Sequence, residues 1–177
     1  MKVTSSAIVN GVFEDKYGKR GELNALGMPT YSIPVKIEDA PAGTKSYALV
    51  LDDKDAFPVS GGFVWVHWVA ANIQRDELQE NESQTAKDFV QGVNSWLSIQ
   101  GGSHPAESCS YYGGMAPPDA PHIYELRVYA LDTVLDLKPG FYMNEMFRQM
   151  EGHVLEEVVI KGCLLYTSDA ADDLIGV

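Results

Sequence analysis

The chain has 177 residues, 45% of them hydrophobic, with a formal charge of −12 and a mean hydropathy of −0.13. These figures fit one globular domain with a real core and exclude a disordered chain. A net-acidic protein is a poor partner for nucleic acid or an anionic bilayer, and no run of about 18 apolar residues is present to span one.

The start, MKVTSSAIVN, lacks the apolar stretch of a secretion signal. The two cysteines, Cys109 and Cys163, form no CxxC pair and no disulfide framework. A reducing compartment, the cytoplasm, is therefore expected.

Along the chain, residues 31–37 (YSIPVKI) predict a strand that Pro34 places at an edge or bulge. Residues 47–51 (YALVL) predict a buried strand ending in the acidic run Asp52-Asp53-Lys54-Asp55. Residues 63–73 (FVWVHWVAANI) are β-branched and aromatic, and predict a second strand. Strict alternation there puts Trp65 and His67 on one face and Val66 and Trp68 on the other. Residues 74–114 read mostly as loop with one short helix. Pro117, Pro118 and Pro121 stiffen a turn that delivers His122 and Tyr124 to one face of a strand over 124–130. In that strand Leu126 and Val128 face away from Glu125, Arg127 and Tyr129.

Residues 142–151 predict a helix whose Met143, Met146, Phe147 and Met150 form a core stripe, with Gly152 as its stop. A closing strand follows over 154–161. Many short strands, frequent turns and few helices predict an antiparallel β-sandwich, mainly β, with one helix near the C-terminus.

The last fifteen residues, CLLYTSDAADDLIGV, resemble a translated sequencing-library adapter, in frame over 163–172. The domain is therefore expected to span 1–162, with 163–177 not native.

Asp53, His67, His122 and Tyr124 fit one another chemically. Two imidazoles and a phenol can donate to an anion, and a carboxylate beside an imidazole favours its cation. A second carboxylate could take an ammonium or hydroxyl, and Trp65 could form an apolar wall. Each signal also has a structural reading: a solvated turn, a satisfied core histidine, a rigid loop. His104 and His153 read as structural. Spacing alone does not bring these residues together.

At these positions the chain resembles the phosphatidylethanolamine-binding protein family, in its bacterial Raf-kinase-inhibitor-like branch. Leu51-Asp52-Asp53-Lys54-Asp55 resembles the DPDxP segment, Trp65-Val66-His67-Trp68 with Asn72-Ile73 the HW…NI strand, and Gly114-Met115-Ala116-Pro117-Pro118 with His122-Ile123-Tyr124 the GxxPP…HRY segment. Asn94-Ser95-Trp96 is similar to a segment lining the pocket approach. Lys54 and Phe57 stand where the motif has prolines, and Ile123 where it has Arg. The resemblance implies a Greek-key sandwich with a small pocket formed by Asp53, Asp55, Trp65, His67, Pro118, His122 and Tyr124. It implies a small phosphate-like anion or a phosphoethanolamine-type headgroup as ligand, with no cofactor and no metal. A protein partner, such as a kinase or protease, and a homodimer are further expectations. The alternatives are an Asp/His-dependent phosphoester hydrolase, a metal site using the same histidines, and a pure interaction module. No GxSxG element supports nucleophilic catalysis, and no HxH or HExxH spacing supports a metal.

Overall fold

The computed structural model describes residues 1–165. Ten strands are placed there: β1 Lys2–Thr4, β2 Ile8–Val9, β3 Val12–Phe13, β4 Val35–Glu38, β5 Ser46–Asp53, β6 Trp65–Ile73, β7 Glu77–Leu78, β8 Val90–Gln91, β9 His122–Leu131 and β10 Val154–Leu164. Three short helices accompany them: α1 Phe57–Ser60, α2 Ala106–Cys109 and α3 Met143–Met150. The main strands lie where the apolar runs predict them. Pro34 falls just outside β4, as a residue without an N–H to donate should.

The strands form a seven-stranded sheet, ordered β2-β3-β10-β9-β5-β6-β8, and a three-stranded sheet, ordered β1-β4-β7. The fold is mainly β with few helices, as expected, but the sheets are unequal and not wholly antiparallel. β10 is antiparallel to β9 from Val154 to Leu164, and its end also runs parallel to β3 on the other side, pairing Cys163 with Val12. The reason is local: β10 outruns the predicted 154–161 and meets the small N-terminal hairpin along its free edge. Gly162 allows this approach, since a Cβ there would come within 2.5 Å of the Phe13 ring. Cys163 and Leu164, assigned to the tail from sequence, lie in β10, and Leu164 is fully buried opposite His122. The remainder of the tail, from 166 onward, lies outside the described residues.

β5 sits at the centre, between β6 and β9, and all eight of its residues are buried. It is covered on both faces, which explains an apolar run rather than an alternating one. On one face Leu49 and Leu51 join Trp68, Tyr124, Leu126 and Val128 beneath Val3, Ile33, Val35 and Ile37 of the small-sheet side. On the other, Ala48 and Val50 join Val69, Tyr129 and Leu131 under Met146 and Met150 of α3. The methionine stripe is thus core. Glu145 accepts the Tyr142 N–H at the start of α3 (2.7 Å), and Gly152 follows it with φ +79°. Burying each such Leu, Val or Met contributes about 1.5–3 kcal/mol.

The segment expected to be loop holds more order than its sequence suggests. Residues 74–114 contain β7, β8, α2 and a single 3₁₀ turn, Ser95–Leu97. The two strands are only two residues long, too short for a period of two to register.

Asp52, Lys54, Glu125, Arg127 and Lys161 form one network on the face away from Tyr124. Arg127 pairs with Asp52 (2.6 Å) and with Glu125, while Lys54 and Lys161 reach Glu125 at 2.7 and 2.8 Å. Lys161, Lys54 and Arg127 hold the Glu125 carboxyl down at about 2, against an ordinary 4.5. A depressed carboxyl stabilises the fold above its unfolded pKa, and that gain is lost as pH falls through the folded value. Stability should therefore drop between pH 4.5 and 2. The two lysines are more than half exposed, so screening limits the loss to about 1–2 kcal/mol. Urea unfolding across that range is the measurement, and Glu125→Gln should remove this part of the slope.

Candidate functional site

Antiparallel register brings three sequence segments together at one end of the large sheet. Asp53, the last residue of β5, pairs with Trp65 on β6 and with Tyr124 on β9. The proline-rich turn before β9 then places His122 beside Asp53. This convergence could not be read from spacing.

β6 departs from strict alternation at His67. Leu51 pairs with Trp68 and Asp52 with Val66, so His67 is an extra residue, a β-bulge. The bulge corrects the predicted facing. Val66 lies in the cluster beneath α3, but Trp68 joins the cluster holding Tyr124. His67 is aimed at the end of the sheet, its ring 5.2 Å from that of Tyr124 and 6.5 Å from Trp65. The groups freed by the bulge find other partners. The His67 carbonyl accepts from Gly113 N (2.8 Å), and Val66 N donates to Ser95 Oγ (2.8 Å). Gly113 must lack a side chain here, since a Cβ would lie 2.7 Å from both Asn94 Nδ2 and Trp96 Cδ1.

The surroundings of the two histidines push them in opposite directions. His67 Nδ1 lies 2.7 Å from the Gly113 carbonyl, which can only accept, so Nδ1 bears the proton. Burial holds this imidazole below its usual range, against the opposing pull of Asp53 and the Gly113 carbonyl. His67 is thus neutral at pH 7, with a lone pair on Nε2. His122 has carboxylates at both nitrogens: Asp53 Oδ2 at 2.7 Å from Nδ1, and Asp119 Oδ1 at 3.0 Å from Nε2. Burial pulls its pKa down, but the bonds and charges of Asp53 and Asp119 outweigh it and set it above 6.5. An imidazolium satisfies both acceptors at once.

Asp53 is the keystone of this end of the sheet. It is 3% exposed, and its Oδ1 accepts from Asp55 N (2.8 Å) and Ala56 N (3.1 Å). These bonds close the turn into α1, where the family motif has prolines. Lys54 does not point into the site; it is spent on Glu125 on the far face. Phe57 opens α1 and is exposed, with Pro58 inside its first turn. Ile123 is also exposed, and its N–H donates to Asp55 Oδ2 (2.8 Å).

Between these groups lies a cavity of about 250 Å³. Of the seven residues proposed from sequence, Asp53, Trp65, His67, Pro118 and His122 line it. Asp55 does not; it holds the Ile123 N–H. Tyr124 does not line it either, being fully buried behind the wall and packed against Phe13, His67 and His122. Trp96 completes the aromatic wall, edge-on to Trp65 (6.0 Å) and stacked with His104 (6.2 Å). Asn94 positions it, accepting the Trp96 N–H (3.0 Å) and donating to the Tyr111 carbonyl (2.8 Å).

Sequence reasoning assigned no role to Ala56, Val59, Gln100 or Gly101, which also line the cavity, or to Asp119. For Asp119 a signal existed: a carboxylate three residues before a histidine in a proline-stiffened turn. For Val59 and Gln100 there was none. His153 is structural, bonding Asp132 (2.7 Å) at the turn into β10. Cys109 is fully buried, and burial raises its thiol pKa, the reverse of an activated nucleophile. Among the described residues, no group of three His, Cys, Asp or Glu side chains is placed to hold a metal ion. No helix there is long and apolar enough to cross a membrane.

Comparison with known proteins agrees with this architecture. The family model described as phosphatidylethanolamine-binding protein matches residues 4–165. The uncharacterized protein YxkA of Bacillus subtilis is 43% identical over 86% of this chain and 93% of its own length. A UPF0098 protein of Methanothermobacter thermautotrophicus is 38% identical over 74% of this chain and 80% of its own. Among solved structures, a phosphatidylethanolamine-binding protein homologue from Chlamydia trachomatis superposes with a TM-score of 0.75 at 28% identity, covering 94% of this chain and 97% of its own. Escherichia coli YbcL shares the fold, with a TM-score of 0.72 at 22% identity over 94% of this chain and 98% of its own. A match running from the first strand into the last, together with close relatives along most of its length, shows that the chain belongs to the phosphatidylethanolamine-binding protein family.

Proposed function

We propose that this protein binds a small phosphate-type anion, free or as the headgroup of a phosphoester such as phosphoethanolamine, in the cavity at the end of β5, β6 and β9. Family membership supports a ligand-binding or regulatory protein in the broad sense. The observation that carries the finer reading is a buried imidazole, His122, with a carboxylate at each ring nitrogen, in the wall of a cavity large enough for a phosphate group. Asp53 holds its ring in place, so the orientation of the imidazole is preset for an anion. His67 adds the complementary feature. Its lone pair suits a ligand that also carries a proton donor, as a singly protonated phosphate or an ammonium does. Trp65 and Trp96 wall the pocket with apolar surface. On this reading the protein is a cytoplasmic binder and not an enzyme, and no residue here plays a nucleophile's part.

Calorimetry with inorganic phosphate and with phosphoethanolamine is the test. The wild-type protein should bind, and His122→Ala should lose at least about tenfold, the value of one charge-assisted hydrogen bond. Absence of binding by the wild type, or equal affinity in the variant, would overturn the proposal.

A second reading, a module that docks a protein partner over the pocket, is favoured by one observation. Phe57, Phe63, Val64 and Ile99 are exposed, and each lies within two residues of a lining residue. Exposed apolar residues next in sequence to the lining of a cavity are what a partner could cover. The two readings are compatible if ligand and partner share one mouth.

A further inference from the structure

We propose that Asp119 is an internal competitor of the site, an anion built into the chain that holds the Nε2–H of His122 until an incoming anion displaces it. Asp119 would then set the strength with which the pocket takes simple anions. This rests on the anion-binding reading above and adds to it a residue that restrains binding.

His122 has two N–H groups, and the chain uses both. Nδ1–H is committed to Asp53. That carboxylate cannot leave, because it is buried and its other oxygen holds two backbone N–H groups. Nε2–H is bonded to Asp119, whose side chain is 43% exposed. On release this second carboxylate returns to water at little cost. It sits on the same turn as Pro117 and Pro118, which line the cavity, so release frees a residue at the cavity's wall.

The other groups around His122 do not take this role. His67 is a neutral ring packed, like His122, against the Tyr124 ring, and Asp55 is engaged with Ile123 N. Asp119 therefore opposes an entering anion twice, by occupying the donor and by placing a negative charge beside it. A residue that merely steadied the imidazolium would do the opposite, and its loss would weaken binding. The sign of the effect separates the two roles.

The experiment combines calorimetry with inorganic phosphate and ¹⁵N NMR of the histidine rings, on the wild type, Asp119→Ala and Asp119→Asn. In the ligand-free wild type, the Nε2 signal of His122 should report a hydrogen bond that Asp119→Ala removes. Asp119→Ala should bind phosphate at least about tenfold more tightly, with Asp119→Asn between it and the wild type. Equal or weaker phosphate affinity in Asp119→Ala, with the wild type binding, overturns the proposal. A wild-type spectrum without the Nε2 bond overturns it too, whatever the affinity. If the bond is present but neither protein binds phosphate, the anion-binding reading fails first and takes this inference with it.

Discussion

Replacing Asp53 with alanine should destabilise the fold by about 3–5 kcal/mol, the usual result of removing one partner from a buried ionic network. The deletion strands the Asp55 and Ala56 N–H groups and leaves the His122 Nδ1–H facing a void. Asp53→Asn separates structure from charge. Its amide oxygen can still accept from the two backbone groups, while its NH₂ meets Nδ1 only if that nitrogen carries the lone pair. His122 is then driven to the neutral tautomer. This variant should cost less, about 1–3 kcal/mol, and remain folded. Its anion affinity should nevertheless fall at least about tenfold, because the charge that attracts the ligand is gone.

The pH dependence follows from the same pair. His122 titrates above 6.5 in the folded protein. The stability it contributes is complete below the unfolded value and fades as pH rises through the raised one. Anion affinity should decline across the same upper window. Sulfate is the cleaner probe, since its charge is fixed there. In Asp53→Asn the binding should be weak throughout, and its decline should move to lower pH. Sulfate affinity that stays level through the window in the wild type would contradict a cationic His122.

The sequence was most informative where a whole element obeys one period. β9 alternates, α3 carries its apolar stripe at helical spacing, and β5 reads as buried because layers cover both of its faces. Three motifs identified the residues of the candidate site, and five of the seven line one cavity. What escaped was local. The bulge at His67 is an extra residue in the β5–β6 register, and no periodicity within β6 announces it. The direction of Lys54 depends on Glu125, seventy-one positions away along the chain. Asp55 and Tyr124 carry the right chemistry, but one is occupied by a backbone N–H and the other lies a layer too deep. Those are facts of packing, and they appear only once the strands are paired.

Trp68 tests how far that packing controls the site. It is fully buried, follows the bulged His67, and stacks edge-on against Tyr112 at 5.7 Å. Its indole N–H donates to Gln91 Oε1 at 2.8 Å. Gln91 is tied to Ser83 through both amide atoms, and Ser83 Oγ accepts the Tyr112 N–H. Trp68→Ala should therefore cost about 3–5 kcal/mol, combining lost burial with a cavity. Trp68→Phe keeps most of the ring and removes one hydrogen bond. Gln91 Oε1 retains its bond from Ser83, so this variant should cost only about 1–2 kcal/mol beyond the volume lost. Denaturant unfolding measures both. Phosphate affinity then shows whether the bulge depends on this anchor. If Trp68 fixes the register that aims His67, Trp68→Phe should bind like the wild type, and Trp68→Ala should bind weakly even where it is fully folded. Unchanged affinity in folded Trp68→Ala would mean that the Gly113 contacts alone hold His67 in place.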